Sequence, residues 1–317
     1  MRRLLCGIVL LSMCISMAWG QAYPVKPVRL ISSFPPGGGS DAVARIIAQA
    51  LTDQLGQQVV VETRAGASGL IGTEAAAKAA PDGYTMVLGN VAPLAILPAS
   101  TPTLPYHPIR DFYPITLVAV SDYVLTVNPS LPAKSIRELL ALARAKPGLL
   151  TYASSGGMGG PHLAGELLSL LAQVKLVHVP YKGNGPAALG VMTGETIMMF
   201  GSGPSVVPHM ATGRLRGIAT TGLKRTIPEL PAITEILPGY EVNQWYGLLV
   251  PAGVPRDITE RLHKEIVRAV ATPKVAQLLT NVGTQPETGT PAEFRAFIQA
   301  EIDKWSKVIK TANIRAD

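Results

Sequence analysis

The chain has 317 residues, a formal net charge of +7, 47% hydrophobic residues and 5% aromatic residues. Its lysines and arginines are scattered, with few aromatics among them, which argues against a nucleic-acid-binding surface. Both cysteines, Cys6 and Cys14, lie within the first 20 residues, so removal of that segment leaves no thiol for disulfide, metal or nucleophilic chemistry.

Residues 1–20 read as a cleaved signal peptide: Arg2 and Arg3 form a positive start, residues 4–17 are uncharged and apolar, and Ala18-Trp19-Gly20 ends the stretch with small residues, Ala18 and Gly20, at the positions a signal peptidase reads. The apolar core falls short of the roughly 20 residues that span a bilayer. Met13 is bulky where a lipid-attachment site before Cys14 would want a small residue. Cleavage before Gln21 removes Arg2 and Arg3, lowers the charge from +7 to +5 and predicts a periplasmic protein. The remaining length exceeds what one core usually organises, so two domains are expected.

Residues 28–33 read as a buried strand, followed by a glycine-rich loop and a helix with apolar Val43, Ile46, Ile47, Ala50 and Leu51 that stops at Gly56. Strand 59–61, helix 70–80, the turn Pro81-Asp82-Gly83 and strand 85–88 complete a βαβαβ order, which means a parallel sheet flanked by helices. A second round begins near Val124 with a strand, a helix whose Ser135 and Glu138 have capping-box spacing, and strand 149–153. Helix 161–171, strand 176–179, a loop and helix through 181–192, and strand 196–200 follow. After Gly239 come a strand through 245–250 and helices 256–271 and 291–311, the latter with Thr290 and Glu293 as another capping pair. These last helices have no sheet of their own and are expected to return to the first domain. The expected division is 21–123 plus 245–317 for domain 1 and 124–244 for domain 2, with a ligand cleft between them. Two chain crossings, near Tyr123 and Trp245, permit hinge closure.

Two loops sit where open α/β sheets place ligands, beyond the carboxyl ends of strands. In Phe34-Pro35-Pro36-Gly37-Gly38-Gly39-Ser40-Asp41, glycines let backbone N–H groups approach an anion at a helix start. The loop lacks the lysine and hydroxyl residue of a P-loop and the spacing of a dinucleotide fingerprint. Its plainer reading is a tight turn with Ser40 or Asp41 as helix cap. Ala153-Ser154-Ser155-Gly156-Gly157-Met158-Gly159-Gly160 holds the equivalent position in the second unit, offering hydroxyls and amides or serving as turn and cap. No G-x-S-x-G flags a nucleophile, although Ser155, His162 and Asp41 frame a rival hydrolase or isomerase reading. His162 and Glu166 share a helix face, but two ligands make no zinc site and no metal is expected. Val179-Pro180-Tyr181-Lys182-Gly183 supplies a phenol and an ammonium, or a surface turn. Trp245 and Tyr246 read as packing at a domain crossing.

Taken in order, these segments resemble the Bug family, the extracytoplasmic solute receptors of tripartite tricarboxylate transport systems. The marks are Tyr23-Pro24, Phe34-Pro35-Pro36-Gly37-Gly38 with Asp41, Gly56-Gln57 before Val59-Val60-Val61-Glu62, and Pro81-Asp82-Gly83-Tyr84. Ser154-Ser155-Gly156, His162-Leu163-Ala164-Gly165-Glu166, His178-Val179-Pro180-Tyr181-Lys182-Gly183 and Trp245-Tyr246-Gly247 continue the series across the whole mature chain. The resemblance implies an α/β two-domain Venus-flytrap fold of the periplasmic-binding-protein type, each domain a mainly parallel sheet flanked by helices. It also implies a non-enzymatic receptor without cofactor, a monomer that holds a carboxylate largely by amides, hydroxyls and waters.

Carried over by position, Phe34, Gly38, Gly39 and Asp41 form one wall, and Ser154, Ser155 and His162 the other. Ala67, Ser68, Gly157, Tyr181 and Ser202 complete the expected ligand-binding set. Where the family commonly reads Gly-Ala-Gly-Gly, this chain has Gly66-Ala67-Ser68-Gly69. Ser68 is expected either to bond a distal ligand group or to cap the next helix. The ligand itself stays open among dicarboxylates, tricarboxylates, amino acids and aromatic acids, and the partner between membrane transporter subunits and a sensor kinase.

Overall fold

The computed structural model describes residues 23–223, 225, 227–312 and 314. The expected signal peptide, with Cys6 and Cys14, lies outside the described residues.

Leu30 and Ile31 are buried in β1 (Val28–Ser32), and the chain then enters α1 (Gly39–Leu55). Val43, Ile47, Leu51 and Leu55 recur every fourth residue on one buried helix face, each side chain contributing roughly 1.5–3 kcal/mol by leaving water. Gly56 ends the helix at φ 66°, and its N–H donates to Thr52 O. That left-handed cap favours glycine. Next come β2 (Val59–Thr63), a single 3-10 turn over Ala67–Gly69, α2 (Leu70–Ala77) and β3 (Thr85–Asn90). Both β2 and β3 pair with β1 in parallel.

Beyond β3 the structure departs from expectation. A π-helical turn (Ala92–Ile96) and α3 (Leu97–Ser100) occupy a proline-punctuated apolar run that carries no helical period. The strand expected near Val124 is the second half of β4 (Phe112–Val127), whose Pro114 reads as a strand breaker in sequence. The first half of β4 pairs antiparallel with β9 (Asn243–Pro251). Its second half, Tyr123–Val127, pairs antiparallel with β7 (Met198–Ser202) and, over Val124–Val127, with β8 (Arg216–Thr220). One strand thus serves two sheets.

The second unit follows the expected rhythm through α4 (Ile136–Ala145), β5 (Thr151–Ser154), α5 (Gly160–Ala172), β6 (Val177–Pro180), α6 (Asn184–Thr193) and β7. Ser135 Oγ accepts from Glu138 N at 3.2 Å, while Glu138 Oε2 accepts from Lys134 N at 2.8 Å, so the cap is reciprocal but reaches one residue further back than the ideal box. β7 leads directly into α7 (Gly203–Ala211), an element that Pro208 hides in the sequence.

The C-terminal helices cover the first unit. α8 (Arg256–Val270) packs on α1 and β4, α9 (Pro273–Asn281) on α1, and β10 (Gln285–Pro286) adds to β4. α10 (Pro291–Ala312) packs on β4 and on residues 92–100. Glu301 in α10 accepts from the indole N–H of Trp245 at 3.2 Å and of Trp305 at 3.3 Å, fastening α10 to β9. The strand order among the described residues is β2-β1-β3-β9-β4-β7-β5-β6. It is parallel at both flanks and antiparallel through the β9-β4-β7 centre. Among the described residues no helix is long and apolar enough to cross a membrane.

Candidate functional site

The two glycine-rich loops face one another across a small chamber. Phe34, Pro35, Gly38, Gly39 and Ser40 line it from the first unit, and Ser155, Gly160, Pro161 and Asn184 from the second. Asn90, Ala92, Tyr123 and Gln244 form its floor, where β3, β4 and β9 run side by side. The chamber is narrow, with a cavity volume of about 20 Å³.

Three helices begin on this chamber. α1, α5 and α6 have Gly38, Gly159 and Gly183 as N-caps, and none of these caps makes a side-chain hydrogen bond to its helix. The first N–H groups of an α-helix have no intrahelical acceptor and carry the positive end of the helix dipole. An anion between the loops would take those N–H groups as donors. No Lys, Arg or His side chain is among the chamber's lining residues.

Hydroxyl and amide groups complete the lining. Asn90 Nδ2 donates to Ser40 Oγ at 3.1 Å, which leaves the Ser40 proton to donate elsewhere. Ser155 Oγ makes no hydrogen bond among the described residues, and the residue borders both this chamber and the larger cavity beside it. Tyr123 Oη donates to Gln244 Oε1 at 2.9 Å, and burial pushes the phenol well above its ordinary range. Tyr246 lies just behind the wall, pushed up to about 12 chiefly by burial; its hydroxyl is close to Ser202 and Gln244 without a hydrogen bond of good geometry. Both phenols stay neutral at physiological pH.

Close packing explains two of the glycines. A Cβ on Gly39 would sit 2.4 Å from Tyr246 Oη and 2.6 Å from Ser202 Oγ, and one on Gly160 would sit 2.1 Å from Tyr123 Oη. Backbone at both helix starts therefore lies directly on the phenols.

The expected site residues divide between the lining and its support. Phe34, Gly38, Gly39 and Ser155 line the chamber, whereas Ala67, Ser68, Gly157 and Tyr181 line the larger cavity that opens beside it. Asp41 is not on the chamber. Its carboxylate accepts from Gly37 N at 3.3 Å and pairs with Arg45 Nε at 3.0 Å. The N-cap of α1 is Gly38, so neither Ser40 nor Asp41 caps the helix; Asp41 sits in its first turn and braces the loop.

Ser154, the last residue of β5, is fully buried and faces away from its neighbour Ser155. Its Oγ lies 2.6 Å from His178 Nε2 and accepts from Gly156 N at 3.2 Å. His162 is buried, stacks on His178 at 3.9 Å between ring centroids, and accepts at Nδ1 from Met158 N at 3.1 Å. Glu166 takes a 2.6 Å hydrogen bond from Tyr152 Oη and lies 3.8 Å from His162. This layer holds the second loop in shape from behind, and its serine–histidine pair has no access to the chamber. Ser202 is likewise buried, taking a 3.3 Å bond from Asn184 Nδ2 and thereby orienting Asn184.

Two further expectations change. Tyr181 borders the larger cavity, but its hydroxyl is buried against Gly190, where a Cβ would lie 2.3 Å away. Ser68 caps no helix; α2 has Gly69 as its N-cap. Its hydroxyl donates to Gly157 O at 2.6 Å, joining the two walls across 89 residues of sequence. The walls also meet where Gly183 faces Pro35 and Gly185 faces Gly37.

Sequence reading did not assign Asn90, Ala92, Tyr123, Asn184 or Gln244 to the site. Asn184 follows the quoted Tyr181-Lys182-Gly183 motif and could have been found as the next helix start. Asn90 and Gln244 stand at strand ends, Tyr123 inside β4 and Ala92 in the π-helical turn, each a single residue with no local motif.

The model of the Tripartite tricarboxylate transporter family receptor matches residues 43–314. The chain is 36% identical to Protein BugT of Bordetella pertussis over 91% of this chain and 90% of that one. Among solved structures, one described as a periplasmic transporter is 40% identical, with a TM-score of 0.90 over 93% of this chain and 100% of its own. The R. palustris protein Rpa4515, solved with adipate, is 33% identical, with a TM-score of 0.90 over 92% of this chain and 99% of its own.

Proposed function

The chain belongs to the tripartite tricarboxylate transporter receptor family, and from that premise we propose that its ligand is a small carboxylate bound in the chamber between the glycine-rich loops. It is an extracytoplasmic solute-binding protein of the two-domain periplasmic type and not an enzyme. The observation that carries the ligand class is the convergence of three helix N-termini, each with a glycine N-cap and so no capping side chain, on a chamber with no cationic side chain. Such a site stabilises one anionic head through N–H and hydroxyl donors, each bond to a charged acceptor being worth roughly 1.5–3 kcal/mol. A neighbour's adipate supports the same class.

The rest of the reading follows from this. Phe34, Gly38, Gly39, Ser40, Ser155 and Asn184 contact the carboxylate, while Asp41, Ser154, His162 and Ser202 hold those contacts in place. The domains divide at 21–123 plus 245–317 and 124–244, with β4 and β9 carrying the chain between them. Export uses residues 1–20 as a cleaved signal peptide, and the loaded receptor, a monomer, delivers its ligand to the membrane subunits of a transporter.

A thermal-shift and calorimetric screen of the exported protein against carboxylates tests the proposal, since a ligand at 100 times its Kd stabilises by about 2.7 kcal/mol. Ser40→Ala removes one donor to a charged group and should weaken the best carboxylate roughly tenfold or more. If no carboxylate raises the melting temperature of the folded protein, the assignment fails.

A further inference from the structure

We infer that the ligand's body is apolar, the size of a benzene ring or a medium-length alkyl chain, so that this receptor takes aromatic or fatty acids in preference to short hydroxy-acids and citrate-like acids. The inference rests on the proposed carboxylate chamber and concerns what lies beyond it.

A cavity of about 680 Å³ adjoins the chamber and shares Phe34, Pro35 and Ser155 with it. A molecule whose carboxylate sits between the helix starts therefore extends past Phe34 into this second space. The volume falls within the roughly 300–1,000 Å³ of sites that enclose drug-sized ligands, well beyond what a four-carbon acid fills. Leu70, Leu97 and Met158 line it together with Phe34.

Side-chain polar groups on that lining are few, namely Ser68, Thr101, Ser155, Tyr181 and Lys182, and Ser155 is shared with the chamber. The Ser68 hydroxyl is donated to Gly157 O, and the Tyr181 hydroxyl is buried on the far side against Gly190. The ammonium of Lys182 belongs to an exposed residue at the edge. A malate-like ligand would set its hydroxyl and second carboxylate mostly against leucine, methionine and phenylalanine, losing more water than it gains partners. A ring or alkyl chain in the same place loses only unfavourable contact with water.

The test titrates the full exported protein calorimetrically with acetate, malate, citrate, phenylacetate and octanoate. Phenylacetate or octanoate should bind at least about tenfold more tightly than acetate, malate and citrate, the discrimination a hydrophobic pocket gives for its complementary group. Leu70→Gln should cost the apolar acid about tenfold and leave acetate unchanged within about twofold. Malate or citrate binding more tightly than both apolar acids overturns the inference while leaving the carboxylate site standing. Failure of every acid to bind a protein that still unfolds in one cooperative transition overturns both.

Discussion

Ser68 offers the sharpest quantitative test of how the site holds its ligand. Its hydroxyl bridges the walls to Gly157 O at 2.6 Å from a half-buried residue, so the bond exists only while the walls touch. A neutral hydrogen bond is worth about 0.5–1.5 kcal/mol net. Ser68→Ala should therefore raise Kd by roughly two- to tenfold, and the change should fall on the dissociation rate, because closure follows encounter. Stopped-flow dissociation with the best-binding carboxylate reads this directly. Ser68 also lies at φ 52°, where a side chain is strained and glycine is not. Ser68→Gly should share the weaker binding yet be more stable than Ser68→Ala, by the roughly 1–2 kcal/mol that the left-handed region costs a residue with a Cβ. An alanine variant with wild-type affinity and dissociation rate would refute the idea that this bridge contributes to closure.

Gly39→Ala forces a methyl to within 2.4 Å of the buried Tyr246 hydroxyl; it should destabilise by roughly 1–3 kcal/mol and weaken carboxylate binding, as followed by denaturant melts and calorimetry. Tyr246 is raised to about 12 by burial, so the stability tied to its neutral form is whole below the unfolded pKa near 10 and declines from there until about pH 12. About 2–3 kcal/mol should go in that window, and Tyr246→Phe should flatten the alkaline limb of a melting-temperature profile. Glu301→Ala strands the buried indole N–H groups of Trp245 and Trp305, at roughly 1–3 kcal/mol for each unpaired donor. A melting temperature within a degree or so of wild type would show that water replaces the carboxylate there.

Periodicity made the two βα rounds legible because their helices are long and one-sided, as in α1, and because glycines mark both ends of the loops. It failed where proline interrupts a regular element, in β4 at Pro114 and α7 at Pro208, and where an apolar run lacks polar punctuation, as in 91–100. At the site, the glycine loops announced backbone donors, and the structure brings them together. Residues quoted for their chemistry, Ser154, His162 and Asp41, lie behind the wall, since sequence gives residue type without the direction a side chain takes at a strand end. Tyr123 and Gln244 were invisible for the opposite reason: their role comes from the pairing of β4 with β9 across more than a hundred residues of chain.

The shared strand has a mechanical consequence. β4 keeps its backbone hydrogen bonds to β9 up to Asp122 and to β7 from Tyr123 onward, so no loose linker separates the two walls at this point. A change in the angle between them must be absorbed as bending and twist of a hydrogen-bonded ribbon. Such a joint is a leaf spring: it resists sideways play, returns toward one rest angle, and resists opening and closing through the same strand that forms the chamber floor.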